Sequence, residues 1–302
     1  MRVKTSYICS ECGYKSSKWM GKCPECGEWN TFSEQEETKK EKSSAKPVQL
    51  TLSRLKEVES SKSQRLLTGI GEFDRVMGGG IVRDSVTILT SPPGGGKSTL
   101  CLMVAYQLAN AGYRVLYATG EESDSQIKNR ADRILGDIAD NIWILAVGEV
   151  DPDLSILDSI QTVSLAEFYP ARAGNPTQTM ECASALVQCA KDKRRQRAAL
   201  MIGQMNKNDE IAGLRALEHL VDTVLVLEGE GADELRGLLA TKNRFGSTGE
   251  MGFFAMTEKG LRSIDNPSEY FITKRNRNEL VSGSAVTVLR EGSRPIVSEV
   301  ES

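Results

Sequence analysis

One stretch of this 302-residue chain, residues 85–100, has the residue types and spacing that phosphate binding requires: SVTILTSPPGGGKSTL. An apolar, β-branched run breaks at Ser91, two prolines and three glycines follow, and helix-compatible residues begin at Lys97. A strand, a glycine loop and a helix start, in that order, bring backbone N–H groups and a helix N-terminus to a phosphate. The stretch therefore predicts a nucleotide-binding site.

Individual residues of this loop have expected contacts. Lys97 is expected to reach the β- and γ-phosphates, and the Ser98 hydroxyl to complete a Mg²⁺ shell. The first position of the usual G-x-x-x-x-G-K-[ST] pattern is Ser91, which matters if that position needs a positive φ. A glycine-rich turn with a chance GKS is the alternative interpretation. The predicted nucleotide contacts in the loop are Pro93, Gly94, Gly95, Gly96, Lys97, Ser98 and Thr99.

Two acidic sites follow strands that the sequence predicts to be buried. Glu121 and Glu122 come just after the apolar run 115–118, where a carboxylate can orient and deprotonate an attacking water. Glu121 is the expected base, whereas Glu122 could instead cap the helix predicted over 123–135. The run LSILD ends at Asp158, the Walker B pattern, so Asp158 is expected to hold Mg²⁺ through water. Together they predict a hydrolytic site.

Four cysteines form the second chemically capable group. Cys9 and Cys12 make one C-x-x-C, Cys23 and Cys26 make another, and each pair is followed by glycine. Four thiolates in two such turns predict a closed, structural Zn²⁺ site, whose metal supplies folding energy to a segment too short for a core of its own. Accidental or redox cysteines are the alternative. Trp19 and Trp29 are expected to cover the metal, with stacking on nucleic acid bases left open.

Composition limits the remaining possibilities. The formal net charge is −3 and the isoelectric point is near 5.6, so nucleic-acid contacts must come from local basic patches. No apolar run reaches the roughly 18 residues of a membrane span. Cys101, Cys182 and Cys189 fall in helical patterns and indicate reduced thiols, hence a cytoplasmic protein.

Strands and helices alternate around the glycine loop, which predicts an α/β fold with an open, mainly parallel sheet and ligands at the carboxyl edge. The expected domains are a zinc finger at 1–32, a polar linker at 33–63 and an ATPase domain at 64–266. Lys242 and Arg244 lie on a short loop after a predicted strand and could reach the γ-phosphate of another subunit. A solvated turn is the alternative there. The basic run 191–197 is expected to complement a helix C-terminus, with DNA contact as the alternative.

Taken together, these stretches resemble the RadA/Sms family of bacterial recombination and repair ATPases, relatives of RecA. The resemblance runs from residue 7 to beyond residue 290, and KNRFG is its most specific element. A KaiC-like signalling ATPase would share the core but would not explain the cysteine pairs or KNRFG. The matching segments are KWMGKCPECGEWN, LTGIGEFDRVMGGGIV, PPGGGKST, GEESDSQIKNRADR, LDSIQT, ALEHLVDTVL and KNRFGSTGEMGFF.

The resemblance implies a RecA-like homo-hexameric ring that binds ATP, Mg²⁺ and Zn²⁺ and works on single-stranded and branched DNA. ATP hydrolysis would drive branch migration of recombination intermediates, with RecA as a partner. Gln204 falls at the polar sensor of RecA proteins, and Lys242 and Arg244 resemble residues that couple ATP to DNA movement. The loops 164–177 and 205–213 resemble pore-facing DNA loops.

Several departures from the family pattern give a second hypothesis. Ser91 replaces a glycine, and Gly95 stands where the family usually has an apolar residue. Residues 267–302 resemble only the opening of the family's Lon-protease-like C-terminal domain, which implies a chain that lacks most of that domain. The rival hypothesis is accordingly a nucleotide-responsive binding protein for DNA or a partner, with little hydrolysis.

Overall fold

The computed structural model describes residues 5–36, 56, 64–144, 150–204, 214–229, 234–272 and 283–301. The chain forms two compact units, Met1–Ser61 and Lys62–Ser302. In the smaller unit, three antiparallel strands pair in the order β2-β1-β3; Cys9 ends β1, and the other three cysteines lie on the loops between these strands. These strands are β1 (Thr5–Cys9), β2 (Lys15–Ser16) and β3 (Phe32–Glu36). Most of the expected linker and all of the loop 205–213 lie outside the described residues.

The larger unit is built on a nine-stranded sheet in the order β14-β13-β12-β11-β6-β10-β9-β7-β8. The six strands from β11 to β8 in that order run parallel, while β12, β13 and β14 are antiparallel. The strands β4 and β5, which precede this sheet in the chain, form a separate antiparallel pair. The strands of this unit so far are β4 (Arg65–Leu66), β5 (Ile81–Val82), β6 (Val86–Ser91), β7 (Val115–Thr119), β8 (Ile142–Ile144), β9 (Leu154–Asp158), β10 (Ala198–Gln204), β11 (Thr223–Glu228), β12 (Leu235–Asn243), β13 (Met251–Thr257) and β14 (Gly260–Ser263).

Helices cover both faces of this sheet. Alternation along β6 sends Leu89 to one face, where it packs with Leu100 and Val104, and Ile88 to the other, where it packs with Cys182. The predicted mainly parallel α/β sheet is confirmed. The helices are α1 (Gly71–Val76), α2 (Lys97–Asn110), α3 (Asp124–Ile134), α4 (Pro176–Ala190), α5 (Leu214–Leu220) and α6 (Pro267–Tyr270). No helix among the described residues is long and apolar enough to cross a bilayer.

The last described segment is a hairpin of β15 (Ser284–Glu291) and β16 (Arg294–Glu301) that packs on the larger unit. Ile296 is buried with Phe253 and Ile264, and the Arg294 guanidinium donates to the buried Glu72 carboxylate. An apolar contact and a buried ion pair therefore hold this hairpin to the sheet.

The basic run at 191–197 is largely paired with acids of the same unit. Arg195 and Arg197 both donate to Asp151, and Arg195 also donates to Asp153 over 2.8 Å. Burial alone would raise the pKa of Asp153, but hydrogen bonds from the Arg114 amide and from Arg195 and Arg83 lower it to about 2. This cluster ties the loop after α4 to the start of β9 and so has a structural role.

Candidate functional site

The four cysteines converge in the smaller unit. The sulfurs of Cys9 and Cys26 lie 3.7 Å apart, those of Cys12 and Cys23 lie 3.5 Å apart, and all four are within 4.8 Å of one another. Zinc with four thiolates at 2.3 Å in a tetrahedron requires sulfur separations of about 3.8 Å. The cluster therefore fits a closed Zn²⁺ site with no ligand position left for chemistry.

Two glycine turns and a few apolar side chains hold this cluster, but the tryptophans do not cover it. Gly13 and Gly27 both have a positive φ. The Gly13 N–H donates to the Cys9 carbonyl and the Gly27 N–H to the Cys23 carbonyl, each over 2.9 Å. The apolar side chains packed with Cys9 and Cys23 are Tyr7, Met20 and Phe32. Trp19 and Trp29 are instead 56% and 67% exposed, so the expectation that they cover the metal is wrong.

The glycine loop joins β6 to α2 at the carboxyl edge of the sheet. Gly94 and Gly96 have φ of +78° and +101°, in the left-handed region that glycine adopts freely. α2 begins at Lys97, so the first amides of this helix face the loop without partners in their own helix. The Lys97 ammonium donates to the Ser91 carbonyl and hydroxyl, at 2.8 and 3.0 Å.

Ser91 and Gly95 are matched to each other. Ser91 ends β6 outside the positive-φ region, so the serine brings no backbone strain. A Cβ on Gly95 would lie 2.3 Å from the Ser91 Oγ and 2.9 Å from its Cβ. The serine side chain thus occupies the space that a side chain at position 95 would need, and the two departures from the usual loop pattern explain each other.

Glu121 follows β7 and is held by one side chain from the end of β10 and one from the residue after β9. The Gln204 amide, at the end of β10, donates to Glu121 Oε1 over 2.7 Å, and the Ser159 hydroxyl donates to the same oxygen. The expected sensor is therefore in direct contact with the expected base. Glu122 turns away and pairs with Arg130 of α3.

The cap of α3 is not supplied by Glu122. Ser123 is the N-cap of this helix and forms a capping box with Gln126. The alternative capping role of Glu122 is therefore wrong, and both glutamates remain at the strand end with different partners.

Asp158, at the end of β9, is buried beside the loop and is oriented by a tyrosine. The Tyr117 hydroxyl, from the neighbouring strand β7, donates to Asp158 Oδ2 over 2.7 Å. Burial raises the pKa of Tyr117, and the nearby negative charge adds to this effect, so the phenol remains a donor. Tyr117 was missed in the sequence, because its role depends on the register between β7 and β9.

These groups surround one cleft of about 480 Å³. The cleft is lined by the predicted Lys97, Glu121, Asp158 and Gln204. It is also lined by Arg130 and Arg133 of α3, which were not predicted from the sequence. Their spacing of three places both arginines on one helix face, a signal that was available once α3 was recognised. Of the predicted loop contacts, Pro93, Gly94, Gly96, Ser98 and Thr99 also line the cleft, whereas Gly95 packs on Ser91.

The donor set of the cleft fits a magnesium-bound triphosphate. Burial lowers the pKa of Lys97, an effect partly offset by the charges of Asp158 and Glu121. Cationic and hydroxyl donors, a helix N-terminus and one buried carboxylate are the groups that polyphosphate and its metal require.

Lys242 and Arg244 lie elsewhere. β12 runs antiparallel to β11 with Asn243 opposite Thr223, at the amino edge of the parallel strands. Lys242 donates to the Val221 carbonyl over 2.8 Å, and Arg244 to the buried Asp222 carboxylate over 2.9 Å. The structure therefore does not bring these two cations into the cleft of their own chain.

Comparisons with known proteins agree with this architecture. A rubredoxin metal-binding domain model matches residues 7–34, which contain all four cysteines, and a KaiC ATPase model matches residues 66–142. The fold is similar to that of a KaiC-like protein from Pyrococcus horikoshii, with a TM-score of 0.53 and 16% identity over 67% of this chain and 99% of the other. The fold and site thus define a zinc-binding ribbon followed by a RecA/KaiC-like ATPase domain.

The family follows from closer relatives. The chain is 43% identical to DNA repair protein RadA of Halalkalibacterium halodurans and 42% identical to that of Bacillus subtilis. Each alignment covers 99% of this chain and 68% of the relative. The chain belongs to the RadA family of DNA repair proteins, as its motifs predicted, and spans about two thirds of the length of these relatives.

Proposed function

We propose that this protein is a DNA-stimulated ATPase that acts in recombinational DNA repair as a ring-shaped motor, driving branch migration. The cleft that brings together Lys97, Glu121, Asp158 and Gln204 carries the proposal. Its relatives are named DNA repair protein RadA, which supports the repair role. Single-stranded and branched DNA are the proposed substrates, and RecA the proposed protein partner.

The cleft residues that the sequence predicted each have a proposed part in hydrolysis. Mg²⁺ bound with ATP would neutralise charge on the phosphoryl oxygens. Lys97 and the first amides of α2 would bind the β- and γ-phosphates, and Ser98 and Asp158 would hold the metal ion, Asp158 through a water. Glu121 would accept a proton from a second water. The oxygen of this water would form the new bond to the γ-phosphorus, and ADP would leave.

Gln204 would link the γ-phosphate to the base. Its amide already donates to Glu121 Oε1, so a phosphate that attracts this amide would release the carboxylate toward water. The Gln204–Glu121 hydrogen bond would then link hydrolysis to the movement of Gln204.

Lys242 and Arg244 are proposed to act on a neighbouring subunit. Their position at the amino edge, away from the cleft of their own chain, supports a head-to-tail ring in which one subunit's KNRFG loop meets the next subunit's nucleotide. The loop 164–177 offers DNA an exposed Tyr169 and Arg172, and Gln178 braces it through the backbone of Leu165 and Ala171.

The base assignment is tested with a matched pair of variants. Glu121→Gln is expected to bind ATP normally and to lose at least about a hundredfold in turnover, since a general base contributes 10²–10⁴-fold. Glu122→Gln changes the adjacent carboxylate in the same way and should retain most of the turnover. Equal losses in both variants would contradict the assignment.

Mixing tests the ring. Lys97→Ala chains and Arg244→Ala chains, each inactive alone, should recover turnover when mixed, because some interfaces then pair an intact loop with an intact cleft. If the mixture stays inactive while both variants assemble, the KNRFG loop does not act between subunits.

The rival hypothesis of little hydrolysis loses one of its reasons, since Ser91 imposes no backbone strain.

A further inference from the structure

The smaller unit presents two tryptophans to solvent side by side. The rings of Trp19 and Trp29 both come within 4.0 Å of the Cβ position of Gly21, so they flank one glycine. Their exposed fractions are 56% and 67%. These fractions are high for tryptophan, a large side chain that is mostly buried in folded proteins. The metal cluster is already packed by other side chains, so these rings are free for another contact.

The backbone holds Trp29 in place beside Gly21. Lys22 and Trp29 form a β-bridge, and the Asn30 N–H donates to the Gly21 carbonyl over 2.8 Å. Trp29 therefore sits on a short closed hairpin, residues 21–30, that contains Cys23 and Cys26. Trp19 lies two residues before this hairpin, with its ring 3.7 Å from the Cβ position of Gly21. Such an arrangement costs little entropy when a ligand covers the rings.

Lysines surround Trp19, whereas Glu25 and Glu28 precede Trp29 in the sequence. The segment 15–22, KSSKWMGK, carries three lysines and no carboxylate. The Lys22 ammonium lies 5.5 Å from the centre of the Trp29 ring, the position of a cation–π contact. Aromatic faces beside ammonium groups are what proteins use to stack unpaired bases while neutralising the adjoining phosphates.

We infer that Trp19, Trp29 and the lysines of 15–22 form a stacking surface for the bases of single-stranded nucleic acid. The zinc unit then contacts the strand directly, through bases, independently of the ATPase cleft. A flat aromatic pair recognises any base, so the surface is tolerant of sequence.

The test uses the full chain with Trp143→Phe, which leaves Trp19 and Trp29 as the only tryptophans. Its fluorescence is titrated with a 20-nucleotide oligothymidylate and with an abasic strand of equal phosphate number. Stacking predicts strong quenching by the thymidine strand and little by the abasic one. Equal quenching by both, or none, would overturn the inference, and the latter would leave the surface to a protein partner.

A second measurement separates stacking from folding. Trp19→Ala/Trp29→Ala should bind the thymidine strand at least about tenfold more weakly, since each stacked base contributes 1–3 kcal/mol. Its zinc content should be unchanged, and Tyr270→Ala, which removes an exposed aromatic of the other unit, should bind normally. Unchanged binding by the double variant would refute the surface even if DNA stimulates the ATPase. Fluorescence quenching without ATPase stimulation would keep the surface and reject the motor.

Discussion

The matched pair in the phosphate loop gives a sharp prediction for Gly95→Ala. The added Cβ would lie 2.3 Å from the Ser91 Oγ, which can rotate, but also 2.9 Å from the Ser91 Cβ. The latter is fixed by the pairing of β6 with β10. Because the loop must shift, we expect an overpacking cost of about 1–3 kcal/mol, which weakens ATP binding about 5- to 150-fold.

Removing the serine side chain should restore the site. In Ser91→Gly/Gly95→Ala the nearest contact of the new Cβ is the Pro92 carbonyl at 3.2 Å, so ATP affinity should return to within a few-fold of the original. The assay is a titration with a fluorescent ATP analogue at fixed protein concentration. Gly94→Ala is the control, because its Cβ meets open space and only its φ of +78° is strained. Ser91→Gly should therefore not rescue it.

Either of two results would refute this reasoning. The first is binding of the analogue by Gly95→Ala as tightly as by the unaltered chain, which would mean that the loop accommodates the methyl group without cost. Alternatively, the double variant could bind no better than the single one, which would show that Ser91 is not the obstacle.

Three further predictions follow from the contacts described. Tyr117→Phe leaves a buried Asp158 oxygen without its donor, so the Mg²⁺ concentration for half-maximal ATPase should rise about tenfold, while Tyr113→Phe should not change it. Asp153, with a pKa of about 2 against 3.8 unfolded, stabilises the chain above pH 4 and loses this contribution between pH 4 and 2. Asp153→Asn should therefore cost about 2 kcal/mol in urea unfolding at pH 7 and little at pH 2. Cys12→Ser should remove bound zinc, measured by mass spectrometry of the metal, and unfold the smaller unit while the larger one keeps its circular dichroism.

Local signals explain what the sequence could predict. The strand Leu154–Asp158 has its predicted bounds, because a short apolar run ending in an acid has few alternatives inside a parallel sheet. The phosphate loop and the cysteine pairs were equally accessible, since glycine conformations and ligand spacings act over a few residues. In contrast, β13 and β14 were missed, because the sequence MGFFAMTEKGLRS shows neither clear alternation nor a helical period.

Relations between distant segments could not be read from the sequence. The Tyr117–Asp158 hydrogen bond depends on the register of β7 against β9, and the Gln204–Glu121 contact depends on three strand ends meeting. Trp19 and Trp29 are exposed because other apolar side chains, those of Tyr7, Met20 and Phe32, pack against the cysteines. In each case the residue types were visible, but their partners are set by tertiary packing.

The central claim is that this chain couples ATP hydrolysis to DNA. The measurement that tests it most directly is ATP turnover with and without single-stranded DNA, for the unaltered chain and for Lys97→Ala. We expect DNA to raise the turnover several-fold and the substitution to abolish it. Turnover that is indifferent to DNA, in a chain that binds ATP normally, would contradict the account.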